Sequence, residues 1–158
     1  MIEFDVQIKA GDLYDYMMKH TYNGFSGIFG SLVGALMVVG GVMMNSVLMI
    51  IAGVVLLCYL PWTLFLKSRQ QMLANPAFKK PLHYVLDEEG IHVSQGGEVQ
   101  MQKWEDMYKA VSTGKSIIVY TSRVNACIFP KRDLKDKTQQ VIQVLSTHLP
   151  VSKVKIRQ

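Results

Sequence analysis

Charge is missing from a long central stretch of this 158-residue chain. Thr21 to Leu66, 46 consecutive positions, hold no Asp, Glu, Lys, Arg or His. That absence excludes an ionisable relay, ion site or transport-coupling group from the stretch. Cysteine is scarce. Cys58 lies inside the uncharged stretch and Cys127 in a predicted strand, without CxxC spacing, so both read as reduced, small apolar residues. The four histidines (20, 83, 92 and 148) are scattered, with no HExxH pairing. No GxSxG or P-loop occurs, and Gly96-Gly97 lacks a following Lys-Ser/Thr. Glu88, Glu89, Glu105 and Asp106 fall at predicted turns, where carboxylates are solvated. The sequence therefore predicts no catalytic residue, no metal site and no cofactor, and the chain does not read as an enzyme.

What fills the uncharged stretch is strongly apolar. It divides once, at Asn45-Ser46, into Phe25 to Met44 and Val47 to Leu66, each 20 residues long. At about 1.5 Å per residue each piece makes a helix of about 30 Å, the thickness of a bilayer's hydrocarbon core. A soluble core in so short a chain could not cover both helices on all sides. A secretory signal would start basic and carry a shorter apolar run; here Glu3, Asp5, Asp12 and Asp15 come first. The reading is a two-span membrane hairpin.

Flanking charge sets the expected orientation. The inter-span turn is uncharged, whereas Lys19, Lys67, Arg69, Lys79 and Lys80 lie on the other side of the hairpin. Positive residues favour the cytoplasm, so both termini are expected inside the bacterial inner membrane. Pro61 predicts a kink, with Tyr59 and Trp62 beside it at headgroup level. Ser26, Gly30 and Gly34 recur every four residues, and Gly30 to Gly34 is a GxxxG match that permits close helix contact. It serves either the packing of one span on the other, the favoured reading, or a homodimer.

Residues 67–158 hold 15 Lys and Arg against 8 Asp and Glu, a net of +7, so this part is expected to be drawn to anionic lipid. It reads as strands closed by one helix. Leu82 to Leu86, Ile91 to Gln95 and Val99 to Trp104 alternate or nearly so, the last two flanking Gly96-Gly97. Ile91, Val93, Val99 and Met101 are expected on the buried side. A second hairpin turns at Gly114-Lys115, and Ala126 to Phe129 is a further strand. Asp133 reads as the N-cap of a helix with Leu134, Thr138, Val141, Ile142, Leu145 and Leu149 on its apolar face. Ile2 to Ile8 alternates and should join the same sheet, since a lone strand is unstable. Residues 10 to 21 read as a helix with Asp12 as N-cap, running into the hairpin. The expected organisation is 1–24, a strand and juxtamembrane helix; 25–66, the hairpin; and 67–158, a cytoplasmic domain.

Three short motifs carry a resemblance. Asp87-Glu-Glu-Gly-Ile91, Lys103-Trp-Glu-Asp106 and Phe129-Pro-Lys-Arg132, following two apolar spans, resemble the bacterial YcxB-like family. Trp104, Asp106, Pro130, Lys131 and Arg132 match its pattern position by position. The resemblance implies a pleckstrin-homology-like fold, a bent seven-stranded sheet capped by one C-terminal helix, and no assigned activity. The fold class expected is thus an α-helical membrane hairpin plus an α+β domain. Trp104 is a candidate anchor for a peptide or lipid, weighed against a core plug. Lys131 and Arg132 are candidates for phosphate at a helix start, weighed against a solvated charge pair. With Lys67, Arg69, Lys79 and Lys80 they form the candidate lipid- or partner-binding set. The functional expectation is a membrane-anchored binding or scaffold protein touching a protein partner or anionic inner-leaflet lipid, with no nucleic-acid partner. The alternative is an envelope-stress or toxin self-immunity protein acting by contact at the membrane.

Overall fold

The structure, a computed structural model, describes residues 1–156, leaving out the side chain of Ser26, whose predicted place in the packing stripe therefore lies outside what is described. The chain begins with β1 (Ile2–Val6), then α1 (Ala10–Tyr22), α2 (Phe25–Met43) and α3 (Val47–Ala74). Strands β2 (Leu82–Leu86), β3 (Gly90–Gln95), β4 (Glu98–Lys103), β5 (Lys109–Ser112), β6 (Ser116–Tyr120) and β7 (Ala126–Pro130) follow. The short α4 (Lys131–Leu134), α5 (Thr138–His148) and β8 (Val154–Lys155) complete it. This is an α+β arrangement of two sheets and a C-terminal helix.

The apolar hairpin is built as its sequence predicts. The turn puts Asn45 at a φ of 54°, and Ser46 N–H closes back on the Gly41 carbonyl at 2.8 Å. Glycines let the helices touch. A Cβ on Gly34 would stand 2.8 Å from Leu57 Cγ, and one on Gly53 2.8 Å from the Gly34 carbonyl oxygen. The GxxxG face is thus spent inside the chain, and the homodimer use of Gly30 and Gly34 loses its surface. The hydroxyls of Ser31, Thr63 and Ser68 donate to carbonyls of their own helices, at 2.9, 3.0 and 2.8 Å. α3 continues past Pro61 and Lys67 to Ala74, where Asn75-Pro76 ends it. Among the described residues, α3 is the one helix long and apolar enough by itself to cross a membrane; α1 and Gly27–Met43 of α2 meet the same measure only together, as a pair bent by 78°.

Sheet order is β1-β2-β3-β4, all antiparallel, and β7-β6-β5-β8, with β8 parallel to β5. The eight described strands in two sheets replace the expected single seven-stranded sheet; β8 is too short to show a period. Phe4 and Tyr84 of one sheet meet Phe129 of the other edge-on, at ring centroids of 5.2 and 4.9 Å. Val141 and Leu145 of α5, with Leu149 just after its end, close this core. Burying each such side chain contributes about 1.5–3 kcal/mol, and Phe129→Ala would cost about 3–5 kcal/mol. A second cluster, Val111, Ile118 and Tyr120, lies on the other face of β5 and β6 against Tyr16 of α1. Both faces of β6 are therefore covered, which is why Ile117–Tyr120 is a continuous apolar run after the buried Ser116.

Several local readings are corrected. The two-residue Gly96-Gly97 loop sets Ser94 opposite Val99 and His92 opposite Met101. Cross-strand partners share a face, so Val99 and Met101 lie opposite to Ile91 and Val93 and are 65% and 37% exposed. Asp12 is not the N-cap of α1; Lys9 is, and Asp12 sits three residues in, accepting the Lys9 N–H at 2.7 Å. Asp133 likewise does not cap the long helix. A left-handed Lys135 (φ 50°) splits α4 from α5, and Asp133 accepts the Gln7 N–H at 3.1 Å.

Candidate functional site

A groove of about 860 Å³ opens between α1 and the β5–β8 pair. Its chemistry comes from four elements. On α1, Asp15 and Lys19 lie one turn apart and so on one face. Along β5, Lys109 and Val111 alternate toward the same side, and Thr113 follows just past the strand's end. Lys155 stands beside Val111 in the parallel β5–β8 register. Lys131 enters from the start of α4. All of these line the groove, as does Asn23, two residues before α2 begins.

Two of the lysines are held in place. Lys109 Nζ sits 4.8 Å above the Tyr120 ring and 5.5 Å from the Tyr108 ring, cation–π geometry. Lys131 Nζ donates to the Thr113 carbonyl at 2.9 Å. The Thr113 hydroxyl donates to Asp15 at 2.5 Å. Four lysines against one aspartate leave the groove at +3. Among the described residues, none of the four lysines is in an ion pair. Burial raises the pKa of the Tyr120 phenol, whose ring carries Lys109, to about 12, with the nearby Tyr16 adding to it. Such a site can hold an anion; among the described residues no group of three metal-ligating side chains occurs.

The residues singled out from sequence do not converge. Lys67, Arg69, Lys79 and Lys80 are exposed, with the Arg69 guanidinium 4.9 Å over the Phe65 ring. Arg132 is committed elsewhere: its Nη1 and Nη2 donate to the two Asp12 oxygens at 2.6 and 2.7 Å, and Nη2 also reaches the Gln7 carbonyl at 2.8 Å. Hydrogen bonding to Asp12 raises its pKa further. Neither predicted alternative for Arg132 holds; it is the clasp that ties α1 to α4. Trp104 is buried, donates to the Asp87 carbonyl at 3.0 Å and stacks on His148 with centroids 5.0 Å apart, so it is the core plug. Lys131 is the candidate that does reach the groove. Lys19 entered the sequence reading only as a topology signal, and Lys109 and Lys155 were missed. Only the pairing of β5 with β8 brings those last two together.

The motif behind the resemblance has a structural reason. Asp87 Oδ1 accepts the N–H groups of Glu89 and Gly90 at 2.9 and 3.1 Å, and its Oδ2 lies 2.9 Å from His92 Nε2. Burial opposes the charge on Asp87, yet these partners hold its pKa below the ordinary carboxylate value. At Gly90 any Cβ would run into the Gln102 carbonyl, so the turn requires glycine. No curated protein and no solved structure matches this chain. The model of the YcxB-like protein family matches residues 86–145, from the last residue of β2 to the end of the Val141–Leu145 face of α5. That stretch contains all three motifs, and over it the chain is similar to the YcxB-like protein family.

Proposed function

We propose that this is a membrane-anchored, non-enzymatic binding protein whose sheet domain contacts anionic lipid of the inner leaflet. In this reading α2 and α3 both cross the bacterial cytoplasmic membrane. Asn45 stands outside, and the segments on both sides of the hairpin stand inside. The two packed sheets closed by α5 are read as a pleckstrin-homology-like domain.

One observation carries the proposal: the exposed large apolar side chains concentrate on α2 and α3. In the most apolar 18-residue window of α3, only 6% is buried. Exposed apolar surface of this extent needs an apolar solvent. The domain is held against that hairpin. Tyr14 of α1 meets Phe65 of α3 edge-on at 6.0 Å, and α1 leads straight into α2 across a 78° bend. The lysine groove therefore lies near the level where the bilayer would begin, where each lysine contributes about 1 kcal/mol toward an anionic surface. The small-residue stripe, which supported partner contact within the bilayer, is used up between the two helices.

The test is fractionation of cells carrying the full chain, with Asn45→Cys labelling by an impermeant thiol reagent. A pellet resistant to alkaline carbonate and a labelled residue 45 support the reading. Recovery of the chain in the supernatant without detergent sinks it, and a protected residue 45 overturns the orientation.

A further inference from the structure

We propose that the lysine groove is a headgroup site for a phospholipid bearing two phosphates, and that it discriminates such a lipid from singly charged anionic lipids. The inference rests on the membrane-anchored reading and adds the ligand class.

Three features point there. The first is charge. The groove carries +3, and the one carboxylate in it, Asp15, is engaged by the Thr113 hydroxyl. A headgroup with one negative charge would leave most of that field uncompensated; two phosphates match it far better. The second is shape. Lys19, Lys109, Lys131 and Lys155 come from α1, β5, α4 and β8, so they surround a volume rather than line a strip. At about 860 Å³ it lies in the upper part of the range usual for small-ligand sites, roughly 300–1,000 Å³, with room for more than a single phosphate. Lysine acts on phosphate as a point charge and needs no fixed fork, which suits a headgroup held from several sides. Lys109 on Tyr120 and Lys131 on Thr113 are already positioned, so the site loses little side-chain freedom on binding.

The third feature chooses the source of the phosphates. Asn23 forms part of the rim, and Phe25 begins the apolar helix α2 two residues later. A lipid could place its phosphates among the lysines while its acyl chains run beside α2. A soluble diphosphate would gain nothing from that adjacency.

The test uses the full chain purified in an uncharged detergent. Cardiolipin and phosphatidylglycerol are titrated at equal total charge, with bound lipid read by native mass spectrometry. Cardiolipin should bind about tenfold tighter or more. The Lys19→Gln/Lys155→Gln double variant should lose that preference. Lys103→Gln/Lys135→Gln, which removes as much charge at two lysines that do not line the groove, should keep it. Circular dichroism should show all of them folded. Equal affinity for the two lipids, or a preference surviving in the groove variant, overturns the inference and leaves the anchored reading standing. Binding of neither lipid by a chain that fractionates with membranes removes the lipid contact altogether. Inorganic pyrophosphate displacing cardiolipin at equal or lower concentration overturns the lipid source in favour of a soluble diphosphate.

Discussion

Replacing Arg132 with methionine should destabilise the whole domain, because the loss falls on a carboxylate that water does not reach. The Asp12 side chain is 4% exposed and Arg132 40%. Asp12 accepts three hydrogen bonds, two from Arg132 at 2.6 and 2.7 Å and one from the Lys9 N–H at 2.7 Å. Arg132→Met leaves only the last. Breaking a buried pair by removing one partner costs about 3–5 kcal/mol. The half-open arginine side lets water in to Asp12 once the guanidinium has gone, which lowers the figure to about 2–3 kcal/mol. The methionine stem keeps the packing of the arginine chain, so the loss is chiefly electrostatic. Asp12→Asn should cost less, since its amide oxygen still accepts the Lys9 N–H. The double variant should recover part of the sum, because the two losses are one interaction counted twice. Urea unfolding of the full chain in micelles, followed by the near-ultraviolet signal of Trp104, measures each corner of the cycle. A cost below about 0.5 kcal/mol for Arg132→Met would mean that the pair behaves as an exposed one and that the clasp is misread.

Three further outcomes follow from single contacts. Gly53→Ala should destabilise the hairpin by about 1–3 kcal/mol, because its new methyl would meet backbone, the Gly34 oxygen at 2.8 Å and the Val38 nitrogen at 2.9 Å. Gly30→Ala meets only a Leu60 methyl at 3.4 Å and should be nearly silent by thermal unfolding in the same micelles. Val99→Lys should leave the melting temperature almost unchanged, whereas Ile91→Lys, at a fully buried position, should abolish folding; the reverse ranking would shift the β3–β4 register by one residue. Tyr120 has a folded pKa of about 12, above its ordinary 10.0, so folding favours the neutral phenol. Its contribution is complete below pH 10 and falls as pH rises from 10 toward 12, so Tyr120→Phe should flatten that alkaline loss, followed by tyrosinate absorbance and stability in parallel.

How much was legible depended on the range of the signal. Uncharged length gave α2 and the first 20 residues of α3, because a long apolar run shows in composition alone; the last eight residues of α3, Lys67–Ala74, lie beyond that run. Alternation gave β1, β2 and β3, and the three- and four-residue spacing gave the α5 face. The register of β4 was within reach and was misjudged: a two-residue loop forces Ser94 opposite Val99, and that parity outranks the apolar look of Val99 and Met101. The caps at Asp12 and Asp133 were misassigned for another reason. An aspartate near a helix start looks the same in sequence whether it caps its own helix or accepts a partner from 120 residues away. The groove was the least legible part. Lys109 sits in a strand of four residues and Lys155 in one of two, and nothing local marks them as neighbours.

The same long-range pairing decides what counts as the folding unit. β1 precedes the hairpin and β2 follows it, yet Ile2 is opposite Leu86 and Val6 opposite Leu82. Phe4, Val6, Ile8 and Leu13, all before the hairpin, belong to the main core. A chain cut to residues 67–158 would lose those side chains, leave β2 as an open edge, and leave Arg132 without Asp12. Four buried apolar side chains at about 1.5–3 kcal/mol each come to as much as the whole stability of an ordinary domain, about 5–15 kcal/mol. Residues 67–158 alone should therefore stay unfolded by circular dichroism and proteolysis. A chain in which Met1 to Leu13 is joined to residues 67–158 by a flexible linker should recover the fold. A cooperative unfolding transition for residues 67–158 without β1 would show that the sheets close by themselves. The hairpin would then be an appendage to an independent domain rather than an insertion held at both ends by one sheet.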